Sequence, residues 1–372
     1  MDRALIIMSG GTTTVINATL VGLVEALNKM GIQPIAGRNG LSGVYKEDFI
    51  DFKDINLNQT YYTPGSSIIG TSRGSVLFDA IHIAEVCHDH NIRTFFNIGG
   101  NGTMKQTKAI AEVLNDIQCI ALSKTVDNDL GDKEFEQVLF TPGFPSIVNY
   151  WCHKLELLNN ENIGAYGHDT VLIAQTFGRE TGFIAGSIRL ADPDRKLPLL
   201  ILLPEDRKET YEVIAKIKEV IGVHGRCIVI ISEGYMQFKT RNDASGQAIY
   251  GSSETTSVQE LVSLCGKAKI NARGVNYTVD QRQDYRYTTE FDLRVAEEIG
   301  RVAGHCAGTS PNFFTTYTNQ NQVKNIPLSQ IPSEYSRVMR KEWIGDFDVT
   351  DEYLKYLKKF VSFRANSNFV RI

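Results

Sequence analysis

Asp127 and Asp129 are carboxylates two positions apart, in the run Thr125 to Asp129, and their spacing suits chemistry on a hydroxyl group. In an extended segment, residues at i and i+2 point the same way, so both carboxylates would face one ligand. One could accept a hydroxyl proton while the other holds a metal ion. Because Asp and Asn also favour turns, an Asp-rich turn with no chemical role is the alternative explanation.

Glycine-rich segments follow two apolar runs of the chain. Gly10 and Gly11 come after the first, and the run Gly99 to Thr103 comes after a later one. Glycines leave backbone N–H groups exposed at the start of a helix, where phosphate is favoured, although many such turns serve only the backbone. Arg73 could neutralise phosphoryl oxygens during transfer or be an ordinary solvated arginine.

The elements that must position these residues follow an α/β pattern, because short apolar runs alternate with longer helix-like segments. In the first part of the chain, strands are expected at Ala4–Met8, Ile32–Ala36, Thr94–Ile98 and Gln118–Leu122, with helices near 14–29, 76–88 and 104–114. The glycine loops and the acidic run all follow strands. In open α/β sheets, ligands bind beyond the carboxyl ends of the strands.

A second α/β set follows, which predicts a second domain. Strands are expected at Thr170–Gln175, Pro198–Leu203 and Arg226–Ser232, with helices near 181–191 and 210–221. The polar stretch from Lys239 to Thr255 is expected to be a surface loop, and further helices are predicted at Glu290–Gly304 and Asp351–Phe363. Beyond Cys306 we recognise no residues with a chemical role.

Composition excludes several classes of function. The 372 residues, 42% of them hydrophobic, are enough for two domains with cores of their own. A net charge of −4 lacks the basic excess of nucleic-acid-binding proteins. Six scattered cysteines without a CxxC pair indicate reduced thiols of a cytoplasmic protein. The first apolar run is too short for a signal peptide or a membrane span, so no membrane association is expected.

In their order, these segments closely resemble the phosphofructokinase family over roughly Leu5 to Gly304. NAD and lipid kinases share the GGDG loop of this family, but the motifs that follow this loop in the chain are those of the phosphofructokinase type. Seven family motifs have counterparts here: Ser9-Gly10-Gly11 with Asn17-Ala18 (first nucleotide loop), Gly70-Thr71-Ser72-Arg73 (arginine loop), Gly99-Gly100-Asn101-Gly102-Thr103 (GGDG loop), Lys124-Thr125-Val126-Asp127-Asn128-Asp129 (catalytic segment), Phe177-Gly178-Arg179 (MGR), Ser232-Glu233-Gly234 (sugar-site glutamate) and Gln281-Arg282 (QR).

The resemblance implies two Rossmann-like three-layer α/β/α domains with mostly parallel sheets. A donor-binding domain would comprise residues 1–140 and about 256–305, and an acceptor-binding domain about 141–255 and part of the C-terminal tail. The implied activity is Mg²⁺-dependent transfer of a phosphoryl group from ATP to a hydroxyl of fructose 6-phosphate or a related sugar or polyol. A homodimer or homotetramer is also implied.

By the same resemblance, Asp127 is the base, and Arg73, Thr125 and Lys124 complete the catalytic set. This reaction depends mostly on positioning and charge neutralisation. The remaining expectations are sorted by ligand: Gly10, Gly11, Arg73, Gly100, Asn101, Gly102 and Thr103 for the donor; Thr125, Asp127, Asp129, Phe177, Gly178, Arg179, Glu233, Arg273 and Arg282 for the acceptor; Asn101 and Asp129 for Mg²⁺.

Two departures from the family bear on metal and donor. Asn101 stands where the family usually has aspartate, and an amide offers Mg²⁺ an oxygen without charge. Metal affinity could be weaker, Asp129 could hold the metal alone, or the chain could be a catalytically impaired nucleotide-binding regulatory subunit. Gly102 is typical of family members that use ATP, whereas Lys124 is typical of those that use pyrophosphate. ATP is the predicted donor, and pyrophosphate is the alternative.

A third departure concerns the acceptor. Family members that use fructose 6-phosphate bind its phosphate with a counterpart of Arg273, a second arginine, and a histidine or tyrosine. Here Thr170 and Val279 stand at the places of the second arginine and the histidine. Losing a charged hydrogen bond typically costs about 1.5–3 kcal/mol. A non-phosphorylated sugar, a nucleoside or another polyol is therefore an alternative acceptor.

Overall fold

The computed structural model describes residues 2–53, 55, 57, 66–72, 79–165, 167–236, 255–309 and 311–363. These residues form two compact units. Unit 1 contains the described residues up to Ser146 together with Arg282–Arg337. Unit 2 contains those from Ile147 to 236, from 255 to Gln281, and from Val338 to 363.

Strands and helices alternate along most of the chain. The first elements are β1 (Arg3–Met8), α1 (Ile16–Lys29), β2 (Gln33–Gly37), α2 (Leu41–Tyr45), β3 (Phe49–Asp51), α3 (Ala80–Asp89), β4 (Ile92–Gly99), α4 (Asn101–Val113) and β5 (Gln118–Ser123). Next come α5 (Phe144–Ala165), β6 (Val171–Thr176), α6 (Phe183–Ser187), β7 (Leu199–Leu202), α7 (Thr210–His224), β8 (Cys227–Ser232), α8 (Ser257–Lys267), β9 (Ala272–Asn276) and α9 (Asp280–Gln283). The last are α10 (Glu290–His305), β10 (Phe313–Tyr317), β11 (Val323–Pro327), β12 (Ile344–Gly345), β13 (Asp348–Val349) and α11 (Asp351–Leu357).

Unit 1 is built on a sheet of seven strands in the order β11-β10-β5-β4-β1-β2-β3. The strands from β10 to β2 are parallel, and β11 and β3 run antiparallel at the two edges. Met8 pairs with Ile98, and Gly99 pairs with Ser123. The segments that follow β1, β4 and β5 therefore leave the sheet at the same edge.

Apolar strands hold the unit 1 sheet in place. Leu5, Ile7 and Phe95 are fully buried and pack with α3 and α4 on one face, as expected for parallel strands covered on both sides. Close helix packing covers other strands. Gly22 of α1 lies so near α10 that a Cβ would stand 2.1 Å from the carbonyl oxygen of Glu297. Glycine permits this approach.

Unit 2 is built on a four-stranded parallel sheet in the order β7-β8-β6-β9. All six residues of β6 and of β8 are buried. Helix α7 begins with reciprocal hydrogen bonding between Glu209 and Glu212 and ends at Gly225, whose φ is 73°. These end signals are local, which explains why this helix was predictable from sequence.

The two α/β sets with mostly parallel sheets agree with the predicted fold, but the predicted domain limits are wrong in two places. Residues 256–281 belong to unit 2, because β9 pairs with β6 and α8 packs against the same sheet. Residues 311–337 belong to unit 1, because β10 pairs with β5.

The predicted helix at Asp351–Phe363 ends at Leu357. Most of the predicted 239–255 loop lies outside the described residues. No helix in the described ranges is long and apolar enough to cross a membrane.

Candidate active site

Lys124 connects the three segments that leave unit 1 after β1, β4 and β5. Its backbone N–H donates to the carbonyl oxygen of Gly99 at 2.9 Å. Its Nζ donates to the carbonyl oxygens of Ser9, at 3.1 Å, and of Gly11, at 2.5 Å. The side chain is 2% exposed. One buried cation thus brings together both glycine loops and the acidic segment.

The first glycine loop is held by the segment 66–72. Gly10 has a φ of 77°, and its N–H donates to the carbonyl oxygen of Ser72 at 3.0 Å. Asn17 of α1 holds the start of that segment, donating to the carbonyl oxygen of Ser66 at 2.8 Å and accepting from Ile68 N at 3.1 Å. The predicted transition-state residue, Arg73, lies outside the described residues.

The second glycine loop leads directly into α4. A Cβ on Gly99 would lie 2.0 Å from Oγ1 of Thr103, so this turn requires glycine. Gly100 precedes the helix in an extended conformation, and no side chain caps the helix start. Gly102 is exposed in the first turn. The first N–H groups of a helix lack partners within it, and together with the helix dipole they suit a phosphate group.

The acidic segment is a turn, which is the conformation named in the alternative interpretation, so the prediction of an extended segment is wrong. Asn128 adopts a left-handed conformation with a φ of 56°, and Asp127 N donates to Oγ1 of Thr125 at 3.2 Å. Exposure nevertheless alternates: Thr125, Asp127 and Asp129 are partly exposed, whereas Asn128 is fully buried. The two carboxylates therefore remain on the more accessible side of the segment.

Asn101 and Asp129, the predicted Mg²⁺ ligands, are in direct contact. Nδ2 of Asn101 donates to Oδ2 of Asp129 at 2.8 Å and to its carbonyl oxygen at 3.2 Å. Oδ1 of Asn101 is buried and accepts no hydrogen bond from the residues that the structure describes. The described residues contain no cluster of three or more His, Cys, Asp or Glu side chains arranged for a metal. A buried amide oxygen beside a carboxylate fits Mg²⁺, which binds through one or two protein ligands plus substrate phosphates.

Asp292 of α10 supports the acidic segment from behind. Its carboxylate accepts from Gly143 N at 3.0 Å and from Oγ of Ser146 at 2.6 Å, and Gly143 forms a parallel bridge with Thr125. Burial raises the pKa of Asp292 to about 6, against the lowering effect of these hydrogen bonds. Nothing in the local sequence marks this carboxylate, because it looks like any acidic residue in the first turn of a helix.

Arg337 is a second residue of this region that the sequence analysis missed. It lies in the tail where no chemical role was recognised, and it is 2% exposed. Its Nε donates to the carbonyl oxygen of Asn128 at 2.9 Å, and its backbone N–H donates to that of Asp129 at 2.8 Å. No local motif marks Arg337, because its partners are about two hundred positions away in the chain.

In unit 2, the ends of β6 and β8 bring Gly178 and Glu233 together. Gly178 N lies 3.3 Å from Oε1 of Glu233, and Gly234 N donates to the carbonyl oxygen of Gly178 at 3.1 Å. Gly178 has a φ of 115°, which favours glycine. The following residue, Arg179, is exposed. The predicted acceptor residues at these two strand ends therefore form one group.

Gln281 of the QR motif has a positioning role in unit 2. It is 3% exposed, and its Oε1 accepts from Phe177 N at 3.0 Å and from Nε1 of Trp151 at 3.1 Å. Arg282, the next residue of α9, belongs to unit 1 and is partly exposed. Its neighbour Gln283 donates to Oγ1 of Thr12, beside the first glycine loop, at 2.8 Å.

Arg273 is separated from the other acceptor residues of unit 2. It pairs with Leu172 in the sheet register, near the amino end of β6, whereas Gly178 follows the carboxyl end. At roughly 3.3 Å per residue, the strand alone separates them by about 13 Å. The guanidinium of Arg273 is 2.6 Å from Asp169 and 3.6 Å from Glu161. The predicted phosphate-binding cation therefore already forms ion pairs with two carboxylates.

Comparison with known families identifies the chain. The sequence model described as Phosphofructokinase matches residues 3–291. This chain belongs to the phosphofructokinase family. The enzyme class predicted from the sequence, a phosphofructokinase-type phosphotransferase, is therefore confirmed.

Individual phosphofructokinases show how similar the chain is to known members. Pyrophosphate–fructose 6-phosphate 1-phosphotransferase of Rhodospirillum rubrum is 28% identical over 391 residues, 96% of this chain and 93% of that protein. ATP-dependent 6-phosphofructokinase of a Sulfurihydrogenibium species is 26% identical over 247 residues, 64% of this chain and 71% of that protein. The crystal structure of pyrophosphate-dependent phosphofructokinase from Nitrosospira multiformis matches with a TM-score of 0.84 and 26% identity, covering 99% of this chain and 94% of that one. The phosphofructokinase fold is thereby confirmed.

Proposed function

We propose that this chain transfers a phosphoryl group from Mg²⁺-bound ATP to a hydroxyl of fructose 6-phosphate or a related sugar, with Asp127 as the base. The observation that carries the proposal is the meeting of three segments through Lys124 at one edge of the unit 1 sheet. They supply helix N–H groups for phosphate, a cation and two partly exposed carboxylates. These are the components that phosphoryl transfer requires.

Each residue has a role within the proposal. Asp127 accepts the proton of the attacking hydroxyl, and the contact between its N–H and Thr125 supports its orientation. The first turn of α4 holds a donor phosphate, and the ammonium of Lys124 adds positive charge nearby. Asn101 and Asp129 hold Mg²⁺, which when bound supplies charge that stabilises the phosphoryl oxygens. Arg73 is proposed to act on the same oxygens.

ATP is the proposed donor because Gly102 carries no side chain at the exposed start of α4, which leaves room for a nucleotide. Pyrophosphate is the second candidate, favoured by Lys124 and by the name of the Rhodospirillum rubrum relative. The Gly102→Asp variant separates them. With ATP as donor, the added carboxylate should lower kcat/KM for ATP about 10-fold or more. A wild-type enzyme with higher kcat/KM for pyrophosphate would overturn the choice of ATP.

Gly178, Arg179 and Glu233 are proposed to hold the sugar hydroxyls, since two strand ends bring them together. Fructose 6-phosphate is the proposed acceptor because the Rhodospirillum rubrum relative is named for it. A non-phosphorylated sugar or polyol is the alternative. It is favoured by the ion pairs of Arg273 with Asp169 and Glu161, which offset the charge available to a phosphate.

The decisive experiment is an activity matrix of ATP and pyrophosphate against sugar phosphates, free sugars and nucleosides, with Mg²⁺ present. Asp127→Asn is the matched control, because it keeps the size of the side chain and removes the base. We expect turnover with at least one pair and a loss of about 100-fold or more in the variant. Wild-type rate in Asp127→Asn would refute the catalytic assignment. Donor binding without turnover on any acceptor would favour the regulatory alternative.

A homodimer or homotetramer in the cytoplasm is also proposed. The support is the separation of Arg273 from Gly178 within unit 2, because one chain does not join them. A second copy could supply Arg273 to a sugar phosphate. Sedimentation equilibrium, with and without fructose 6-phosphate, tests this assembly. A monomer under both conditions would contradict it.

A further inference from the structure

The described hydrogen bonds of Arg337 go to the acidic segment and to the backbone of Val138 and Leu139. Beyond the Nε contact, its two terminal nitrogens donate to Oδ1 of Asn128 at 2.7 Å, to the carbonyl oxygen of Leu139 at 3.4 Å and, through a short contact, to that of Val138. The guanidinium carbon lies 4.0 Å from the ring centre of Phe135. Both the main chain and the side chain of Asn128 are therefore held by one arginine.

A buried guanidinium is costly unless its donors are satisfied, and here they are satisfied by the side-chain Oδ1 of Asn128 and by the backbone oxygens of Asn128, Val138 and Leu139. The turn of the acidic segment contains a conformation which most residues avoid, since Asn128 has a φ of 56°. Gly131, also close to Arg337, has a φ of 144°, and a Cβ there would lie 3.0 Å from a guanidinium nitrogen. Arg337 thus stabilises a strained turn whose central residue separates the two carboxylates.

We infer that Arg337 is a positioning residue for phosphoryl transfer: by clamping Asn128, it holds Asp127 and Asp129 in the orientation that the reaction needs. This inference rests on the proposed function, in which Asp127 is the base and Asp129 a metal ligand. The contacts of Arg337 include the residue directly between these carboxylates and the carbonyl oxygen of Asp129 itself. A displacement of about 1 Å at a reacting group costs roughly 100-fold in rate.

The test compares Arg337→Lys with wild type, using the donor and acceptor pair that gives the highest rate. Lysine keeps the positive charge but lacks the planar set of donors, so the charge remains while the clamp is lost. We expect kcat to fall about 10- to 100-fold. KM for the acceptor should stay within about threefold, because Gly178, Arg179 and Glu233, which hold the sugar in the proposed function, are unchanged. Rates are expressed per folded protein, with the folded fraction measured by circular dichroism.

Arg189→Lys is the matched control for the loss of a buried arginine. Arg189 is also 2% exposed and lies in unit 2, where its guanidinium binds Asp192 and Asp348. We expect this variant to be less stable but to keep its kcat per folded molecule. If Arg189→Lys lowers kcat as much as Arg337→Lys does, the effect is general destabilisation and the inference is wrong.

Asn128→Gly covers the case in which Arg337→Lys fails to fold. Glycine adopts a positive φ without strain, so this variant keeps the backbone conformation and removes the amide oxygen that accepts from Arg337 and from Thr141 N. It should lower kcat with little change in KM for the acceptor, and a normal kcat would overturn the inference. The Asp127→Asn variant distinguishes a failure of the positioning role of Arg337 from a failure of the proposed function. If it is inactive while folded Arg337→Lys is fully active, only the positioning role fails. Wild-type rate in Asp127→Asn, or no turnover with any pair, overturns both.

Discussion

The Asn101→Asp substitution gives the sharpest test of the proposed metal site. In the structure, Nδ2 of Asn101 donates to Oδ2 of Asp129 at 2.8 Å. Aspartate has nearly the same shape but replaces the donor with an oxygen. The variant therefore turns an attractive contact into a repulsion between two carboxylates. Mg²⁺ held by Asp129 and the substituted side chain would supply positive charge that offsets this repulsion.

The size of the effect follows from three terms. Losing a hydrogen bond to a charged acceptor costs about 1.5–3 kcal/mol. Repulsion between partly exposed carboxylates adds about 1 kcal/mol after solvent screening. A negative charge in the first turn of α4 returns about 0.3–1 kcal/mol through the helix dipole. Without metal, we expect the free energy of unfolding to fall by about 1.5–3.7 kcal/mol.

Urea unfolding with EDTA and with excess MgCl₂ measures this effect, at a pH where both carboxylates are ionised. Mg²⁺ at about 100 times its dissociation constant for the Asn101→Asp variant should raise the free energy of unfolding of that variant by about 2.7 kcal/mol. Wild type should gain less, because its amide oxygen binds the ion without charge. Asn115→Asp, the same change at an exposed position, is the control and should respond to neither condition.

Two results would refute the reasoning. If Asn101→Asp is as stable as wild type in EDTA, the contact with Asp129 does not form as described. If the variant is destabilised but Mg²⁺ stabilises it no more than wild type, the contact exists but no metal binds there. The second result would remove Asn101 and Asp129 as the proposed metal ligands.

Two further predictions concern stability. Because burial raises the pKa of Asp292 from 3.8 to about 6, the folded protein binds the proton of this carboxyl more tightly than the unfolded chain does. The resulting contribution to the free energy of unfolding is full below pH 3.8 and is lost as pH rises through 6. Urea unfolding should therefore be compared between wild type and Asp292→Asn from pH 4 to pH 7. Relative to the variant, wild type should lose about 2 kcal/mol of stability over this range, and parallel pH profiles would contradict this. A Cβ on Gly234 would lie 1.6 Å from the carbonyl oxygen of Arg179, so Gly234→Ala should cost about 3 kcal/mol or more. Gly222→Ala, with nothing within 4 Å in α7, should be neutral or stabilising by up to about 1 kcal/mol in the same assay.

Local sequence predicted the elements that end at the candidate site. The strands expected at Ala4–Met8, Thr94–Ile98 and Gln118–Leu122 are observed within two residues of those limits. Their apolar residues are buried on both faces, and such runs carry their own signal. Since parallel strands end at a common edge, the meeting of the segments that follow them was also predictable.

Sequence did not predict the conformation of the acidic segment. The i and i+2 spacing suggested an extended run, but Asn128 has a φ of 56° and lies in a turn. Its main chain and side chain are held by Arg337, which is 209 residues away. No short-range pattern contains such a contact, so the tail beyond Cys306 gave no sign of it.

The amino-acid sequence by itself thus determined the α/β class, the phosphofructokinase motifs and the edge of the sheet where Lys124, Asp127 and Asp129 gather, because these depend on apolar runs and residue types near one another in the chain. Tertiary structure alone decided which sheet β9 joins, that Asn101 contacts Asp129, and that Arg337 clamps Asn128. Each of these depends on a hydrogen bond between segments far apart in sequence, which forms only when the whole unit packs.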